Sequence, residues 1–146
     1  MYLVISTLPH FFSILPLIKY YKTDTFGYIH IISLSTIFSI LYHTYDESNY
    51  IINIIDYFFA GVWVIYDIYM GYTYSTKQTL FIILLLNSVV FFINIQIPYN
   101  LYYQSNHSLW HFINAYKCYC VSNFISIGIA SKGLDPRGSY IGQGQG

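Results

Sequence analysis

Five stretches of this chain approach the length that crosses a membrane, and the connections between them are short. A hydrocarbon core about 30 Å thick needs about 20 mostly apolar helical residues, and slightly fewer where a span is tilted or kinked. The stretches run roughly from Tyr2 to Leu17, Phe26 to Tyr42, Tyr50 to Met70, Leu80 to Ile97 and His107 to Ala130. Pro9 and Pro16 interrupt the first, as membrane helices tolerate when neighbours satisfy the freed carbonyl, and Pro98 closes the fourth. Composition points the same way. Of the residues 55% are hydrophobic and 8% charged, against about 25% charged in soluble domains, so water alone cannot solvate this surface. The expected fold is all-α, a polytopic membrane bundle of about five transmembrane helices over residues 1–131. The first stretch has no basic leader and no small-residue cleavage site after it, so it reads as a retained helix. Residues 132–146 are Gly-rich and polar without apolar periodicity, which predicts a disordered tail.

The formal charge is zero and no basic tract is present, which argues against nucleic acid and against a polybasic membrane-surface patch. The implied partner is membrane lipid, and homo-oligomer formation stays open. Cys118 and Cys120 are two apart on a predicted helix, do not face one another and fit no zinc spacing, so they read as inert buried thiols.

With five crossings, Lys19 and Lys22, Lys77, and the tail residues Lys132 and Arg137 fall on one side of the membrane. The other side carries the N-terminus, the loop with Asp46 and Glu47, and the loop from Asn100 to Asn106. The positive-inside rule therefore puts the tail in the cytosol and the N-terminus in a lumen or outside the cell. Lys117 falls inside the fifth stretch, where it either snorkels or pairs with Asp67.

Ionisable groups inside apolar helices cost roughly 2.5–3.5 kcal/mol each on insertion scales, which makes them candidate functional residues. His43, Asp56, His107 and His111 are such groups, and Ser39 is a polar hydroxyl in the same setting. The second stretch ends, and the third and fifth begin, at one membrane face, so at 1.5 Å per residue all five lie within roughly 10 Å of it. His107 and His111, at i and i+4, share a helical face and can chelate one divalent ion, with His43 as third ligand from another helix. Three neutral imidazoles plus a water form the ligand set of a catalytic zinc site, where the metal brings the water's pKa near 7 and polarises a carbonyl. Asp56 suits a general base or a carboxylate that orients the water or an imidazole. Ser39 lies one turn from His43, where its hydroxyl can steady the water or a developing oxyanion. His10 and His30 lie in other stretches and read as structural.

The order Ser-x-x-x-His, Asp, His-x-x-x-His on successive helices resembles the superfamily of alkaline ceramidases, adiponectin and progestin receptors, GPI-lipid remodelling proteins and myomaker. The branch it most resembles is that of myomaker and the related GPI-processing phospholipase. There Tyr42-His43-Thr-Tyr-Asp46 is similar to a Tyr-His-x-x-Asp signature, Asp56-Tyr57 and Trp63-Val64 to a later Asp-aromatic and Trp-Val, and His107 to His111 to a His-Ser-aromatic-x-His. The resemblance covers about two thirds of the chain. It implies a seven-helix membrane fold that holds zinc through three histidines, often as a lipid amide or ester hydrolase. This chain departs from it between Asp56 and His107, where one further helix stands in place of three. Removal of an even number keeps the histidine pair on the same face but takes away part of the wall of a lipid pocket.

The resulting expectation is a shortened zinc-dependent hydrolase of a lipid amide or ester. His43, His107 and His111 bind zinc, Asp56 handles the proton and Ser39 steadies the oxygen. Two alternatives remain: a non-enzymatic membrane-remodelling or fusion protein braced by structural zinc, and an inactive shortened relic.

Overall fold

A computed structural model describes residues 2–21, 25–45, 49–97 and 102–132. The expected tail lies outside the described residues beyond Lys132, as do Lys22, Asp46, Glu47, Asn100 and Arg137. Among the described residues there are helices and no strands. They are α1 (Tyr2–Thr7), two 3₁₀ turns (Leu8–Ile14 and Ile18–Tyr20), α2 (Thr25–Tyr45), α3 (Tyr50–Tyr74), α4 (Lys77–Ile95) and α5 (Tyr103–Ser131).

The first stretch departs from the continuous kinked helix expected of it. Pro9 has no N–H for the Ile5 carbonyl, and its ring crowds the preceding turn, so the chain tightens to i→i+3 bonding from Leu8. The Thr7 and Ser6 hydroxyls bond back to the Leu3 carbonyl at 2.8 and 2.9 Å. A 3₁₀ segment rises about 2.0 Å per residue against about 1.5 Å in an α-helix, so Leu8–Ile14 covers more length than seven α-helical residues would.

The other helices begin where side chains can cap them. Asn49, in extended conformation, accepts from the Ile51 and Ile52 amides at 3.1 and 3.2 Å. Thr76 accepts from the Thr79 amide at 3.2 Å. Each cap satisfies donors that the first turn of a helix leaves unpaired. Ser75 and Thr76 are the only residues between α3 and α4, so these two helices form a tight antiparallel hairpin. A side chain at Gly71 would place its Cβ 2.8 Å from Ile83 Cδ1, so the hairpin closes tightly at this end.

Among the described residues, α2, α3 and α4 are long and apolar enough to cross a membrane, and Leu3–Ile14 forms a shorter apolar helix. At 29 residues α5 has the length, but its polar residues His111, Lys117, Ser122 and Ser126 lower its hydropathy. All four are buried. Helix α5 turns this polar stripe inward and packs against α1, the first 3₁₀ turn, α3 and α4.

The dry core occupies one end of the bundle, where Leu17, Tyr28, Ile32, Met70, Ile83, Val121, Ile125 and Ile129 are fully buried. There the backbones of α3 and α5 come into contact. A Cβ on Gly128 would lie 1.9 Å from the Tyr74 carbonyl oxygen, so the contact requires glycine for space rather than for backbone conformation. Lys132 reaches the Thr73 carbonyl beside it. The C-terminal ends of α3 and α5 therefore share one end of the molecule, and His43, His107 and His111 lie at the other.

Candidate metal centre

Helix α2 brings His43 to its last turn, and α5 brings His107 and His111 to its first turns. One potential ligand atom from each of these three residues lies within 4.8 Å of the others. The Nε2 atoms of His43 and His111 are 3.0 Å apart. That approaches the edge of about 3.3 Å set by a tetrahedron with Zn–N bonds of about 2.0–2.1 Å. Ring centroids are separated by 5.3 Å for His43 and His107, 5.0 Å for His43 and His111, and 4.7 Å for His107 and His111. The planes of the last two pairs meet at 90° and 89°.

Neighbours hold these rings in place. His107 stacks between Tyr103, at 5.0 Å, and Trp110, at 5.2 Å. Trp110 is fixed in turn by its indole N–H, which donates to the Val90 carbonyl of α4 at 3.0 Å. His111 is buried, whereas His43 and His107 are half-buried. A ligating imidazole usually donates its second N–H to an acceptor that orients it. The Nδ1 of buried His111 has no protein partner among the described residues.

Asp56 and Ser39 meet each other beside the histidine group. The Ser39 hydroxyl bonds the Asp56 carboxylate across α2 and α3, and Asp56 is not a member of the ligand-atom cluster. The contact lets the Ser39 hydroxyl orient the Asp56 carboxyl group. Both side chains line a cavity of about 240 Å³ that also exposes His107 and His111. His43 is outside that lining.

One of the two histidines that sequence reasoning set aside belongs to this region. His10, expected to be structural, is buried and lines the cavity. Its Nδ1 donates to the Thr7 carbonyl at 2.8 Å, which leaves Nε2 to accept from the Asn114 amide at 3.0 Å. Its ring meets His111 edge-on at 5.7 Å. Asn114 lies three residues after His111 on the same face of α5, and this spacing is the signal that could have grouped it with the site. His30 is exposed and bonds the Phe26 carbonyl of its own helix.

Lys117 pairs with Asp67 at 3.2 Å and does not snorkel. Its ammonium also donates to Asn87 Oδ1 at 2.9 Å, and Tyr28 donates to the other Asp67 oxygen. Asn87 Nδ2 donates to the Ile83 carbonyl at 3.0 Å, which turns its oxygen toward the lysine. One residue from each of α2, α3, α4 and α5 thus joins a single polar cluster at the cavity floor. Cys118 is buried, Cys120 half-buried, and both thiols are free.

Comparison of the chain with known protein families, curated proteins and solved structures gave no match.

Proposed function

We propose that this chain is an integral membrane hydrolase in which His43, His107 and His111 hold zinc and whose substrate is a lipid amide or ester. The observation that carries this reading is the convergence of three imidazoles from two helices at the end of a cavity that also contains the Ser39–Asp56 pair. The resemblance to the alkaline ceramidase and adiponectin receptor superfamily rests on the same residues. Bound zinc would supply Lewis acidity toward a carbonyl and a water of lowered pKa. Asp56, held by Ser39, would accept a proton from the attacking water and pass it to the leaving group. His10 and Asn114 hold the His111 turn of α5 against the first segment, and Trp110 holds the His107 turn against α4.

In this reading the chain crosses the bilayer five times, with the 3₁₀ extension giving the first segment its reach and α5 crossing with its polar stripe turned inward. Lys19, Lys77 and Lys132 then face the cytosol, and the histidines lie toward the lumen or exterior. The test is release of fatty acid from ceramide, phospholipid or GPI lipid by purified protein, compared with Asp56→Asn. The amide cannot take up the proton, so turnover is lost while zinc content stays at the wild-type level. Turnover by Asp56→Asn at the wild-type rate refutes the role given to Asp56.

One observation favours a structural alternative. His43 and His111 link α2 to α5 directly, so a metal there would brace the bundle whether or not it acts on lipid. That alternative predicts a zinc-loaded protein that releases no fatty acid and melts at lower temperature when His43 is replaced by Ala.

A further inference from the structure

The cavity has one side on which its wall reaches the surface. Its lining from the first segment, α2 and α5 is buried or half-buried, as are Asp56 and Trp63 of α3 and Asn87, Val90 and Asn94 of α4. Five lining residues are exposed: Tyr57, Ala60, Gly61 and Val64 of α3, and Phe91 of α4. All five belong to the α3–α4 hairpin, whose far end is closed by Gly71 against Ile83. The other seams carry specific contacts. Phe38 stacks on Phe59 between α2 and α3 at 4.9 Å, Trp110 bonds Val90 between α4 and α5, and His10 bonds Asn114 between the first segment and α5.

Depth decides what can use this opening. Gly61 is eleven residues into α3, about 16 Å along the helix, or half the thickness of a hydrocarbon core of about 30 Å. A Cβ added at Gly61 would meet nothing within 4 Å, so the slot is open at that level. The surface around it is apolar, with Phe58, Ile65 and Phe92 each more than half exposed. Water is excluded from that depth, whereas acyl chains fill it. The cavity, at about 240 Å³, is smaller than the 300–1,000 Å³ typical of pockets that enclose a drug-sized ligand. A membrane lipid therefore cannot fit whole, and its chain must pass out through a wall.

We infer that the cavity is loaded sideways from the bilayer, through a mouth between α3 and α4 at Ala60, Gly61 and Phe91, by an acyl-chain amphiphile. Its polar end enters toward the histidines and its tail stays in lipid. The inference rests on the membrane-spanning reading and names the substrate route of the same site, but it needs neither zinc nor turnover.

The test uses the full chain in phosphatidylcholine nanodiscs with palmitic acid bearing a diazirine near its carboxyl end and a terminal alkyne. After irradiation, mass spectrometry locates the attachment sites. The expected result is attachment on the cavity-facing residues of α5 between His107 and Cys118, reduced about tenfold by Gly61→Trp, a loss of about 1.4 kcal/mol in occupancy. Ile65→Trp, on the same helix but outside the lining, leaves it unchanged. Ala60→Phe serves as a second plug if Gly61→Trp lowers the melting temperature. The inference is overturned if both plugs leave the labelling intact, or if label falls only on outward residues such as Tyr116 and Ile127. Cross-links between copies of the chain across this seam would overturn it in favour of a dimer contact. Expected labelling from protein that binds no zinc and hydrolyses nothing would remove the hydrolase reading and leave the mouth standing. Hydrolysis that persists in both plugged variants would do the reverse.

Discussion

Replacing Lys117 by Met should destabilise the bundle strongly, because it strands a buried carboxylate. Asp67 is fully buried, and Lys117 is 5% exposed. At 3.2 Å and an effective dielectric constant near 20, the gross attraction of the two charges is about 5 kcal/mol. Removing one partner of a buried pair costs about 3–5 kcal/mol, since the remaining charge keeps its desolvation penalty and loses its compensation. Tyr28 would still donate to Asp67, which puts the expected cost toward the lower end. The polar cluster joins α2, α3, α4 and α5, so the loss should appear in global melting rather than in local fraying. A double-mutant cycle isolates the pair. Lys117→Met and Asp67→Leu should each lower the melting temperature in detergent, while the double variant should lower it by much less than their sum. Strictly additive losses, or a Lys117→Met protein that melts as wild type does, would refute the assignment of this pair as the compensated charge of the bundle.

Gly128→Val should destabilise by about 1–3 kcal/mol or more, since α3 and α5 must separate to admit the side chain, and detergent melting of the full chain measures this. Tyr28→Phe should cost about 1.5–3 kcal/mol, the value of a hydrogen bond to a charged group, and should be nearly silent once Asp67 is replaced by Leu. For topology, an epitope after Gly146 should be reached from the cytosol and one inserted at Asn100 should not. Labelling of both from one side would remove the five-crossing arrangement.

The helices were legible because bilayer-length apolar runs leave few alternatives, and α2 to α5 begin and end within about four residues of the hydropathy boundaries. Pro9 was legible as an interruption. Its outcome, a 3₁₀ segment, was not, because the choice between a kink and a tightened turn depends on what packs against the freed carbonyl. The convergence of His43, His107 and His111 followed from counting helix ends, because three helix termini at one face leave little room for other arrangements. His10 was missed since its partner Asn114 lies 104 residues away, and no periodicity reports a contact across that distance. The Lys117–Asp67 pair was one of two options for the same reason: spacing within a helix fixes a face but not the neighbour it meets. The Ser39–Asp56 contact was not legible, because spacing puts the Ser39 hydroxyl one turn from His43 but does not report which side chain of α3 it meets. The exposed side of the cavity was not legible at all, because Ala60 and Gly61 read in sequence as ordinary small residues of a membrane helix.

Metal analysis of the purified protein tests the central claim most directly. The account predicts about one zinc per chain in wild type, most of it lost in His111→Ala and all of it in the combined His107→Ala and His111→Ala variant, because one remaining imidazole cannot retain the ion. A wild-type protein without zinc after purification in metal-replete buffer, or full zinc retention in the double variant, would contradict it.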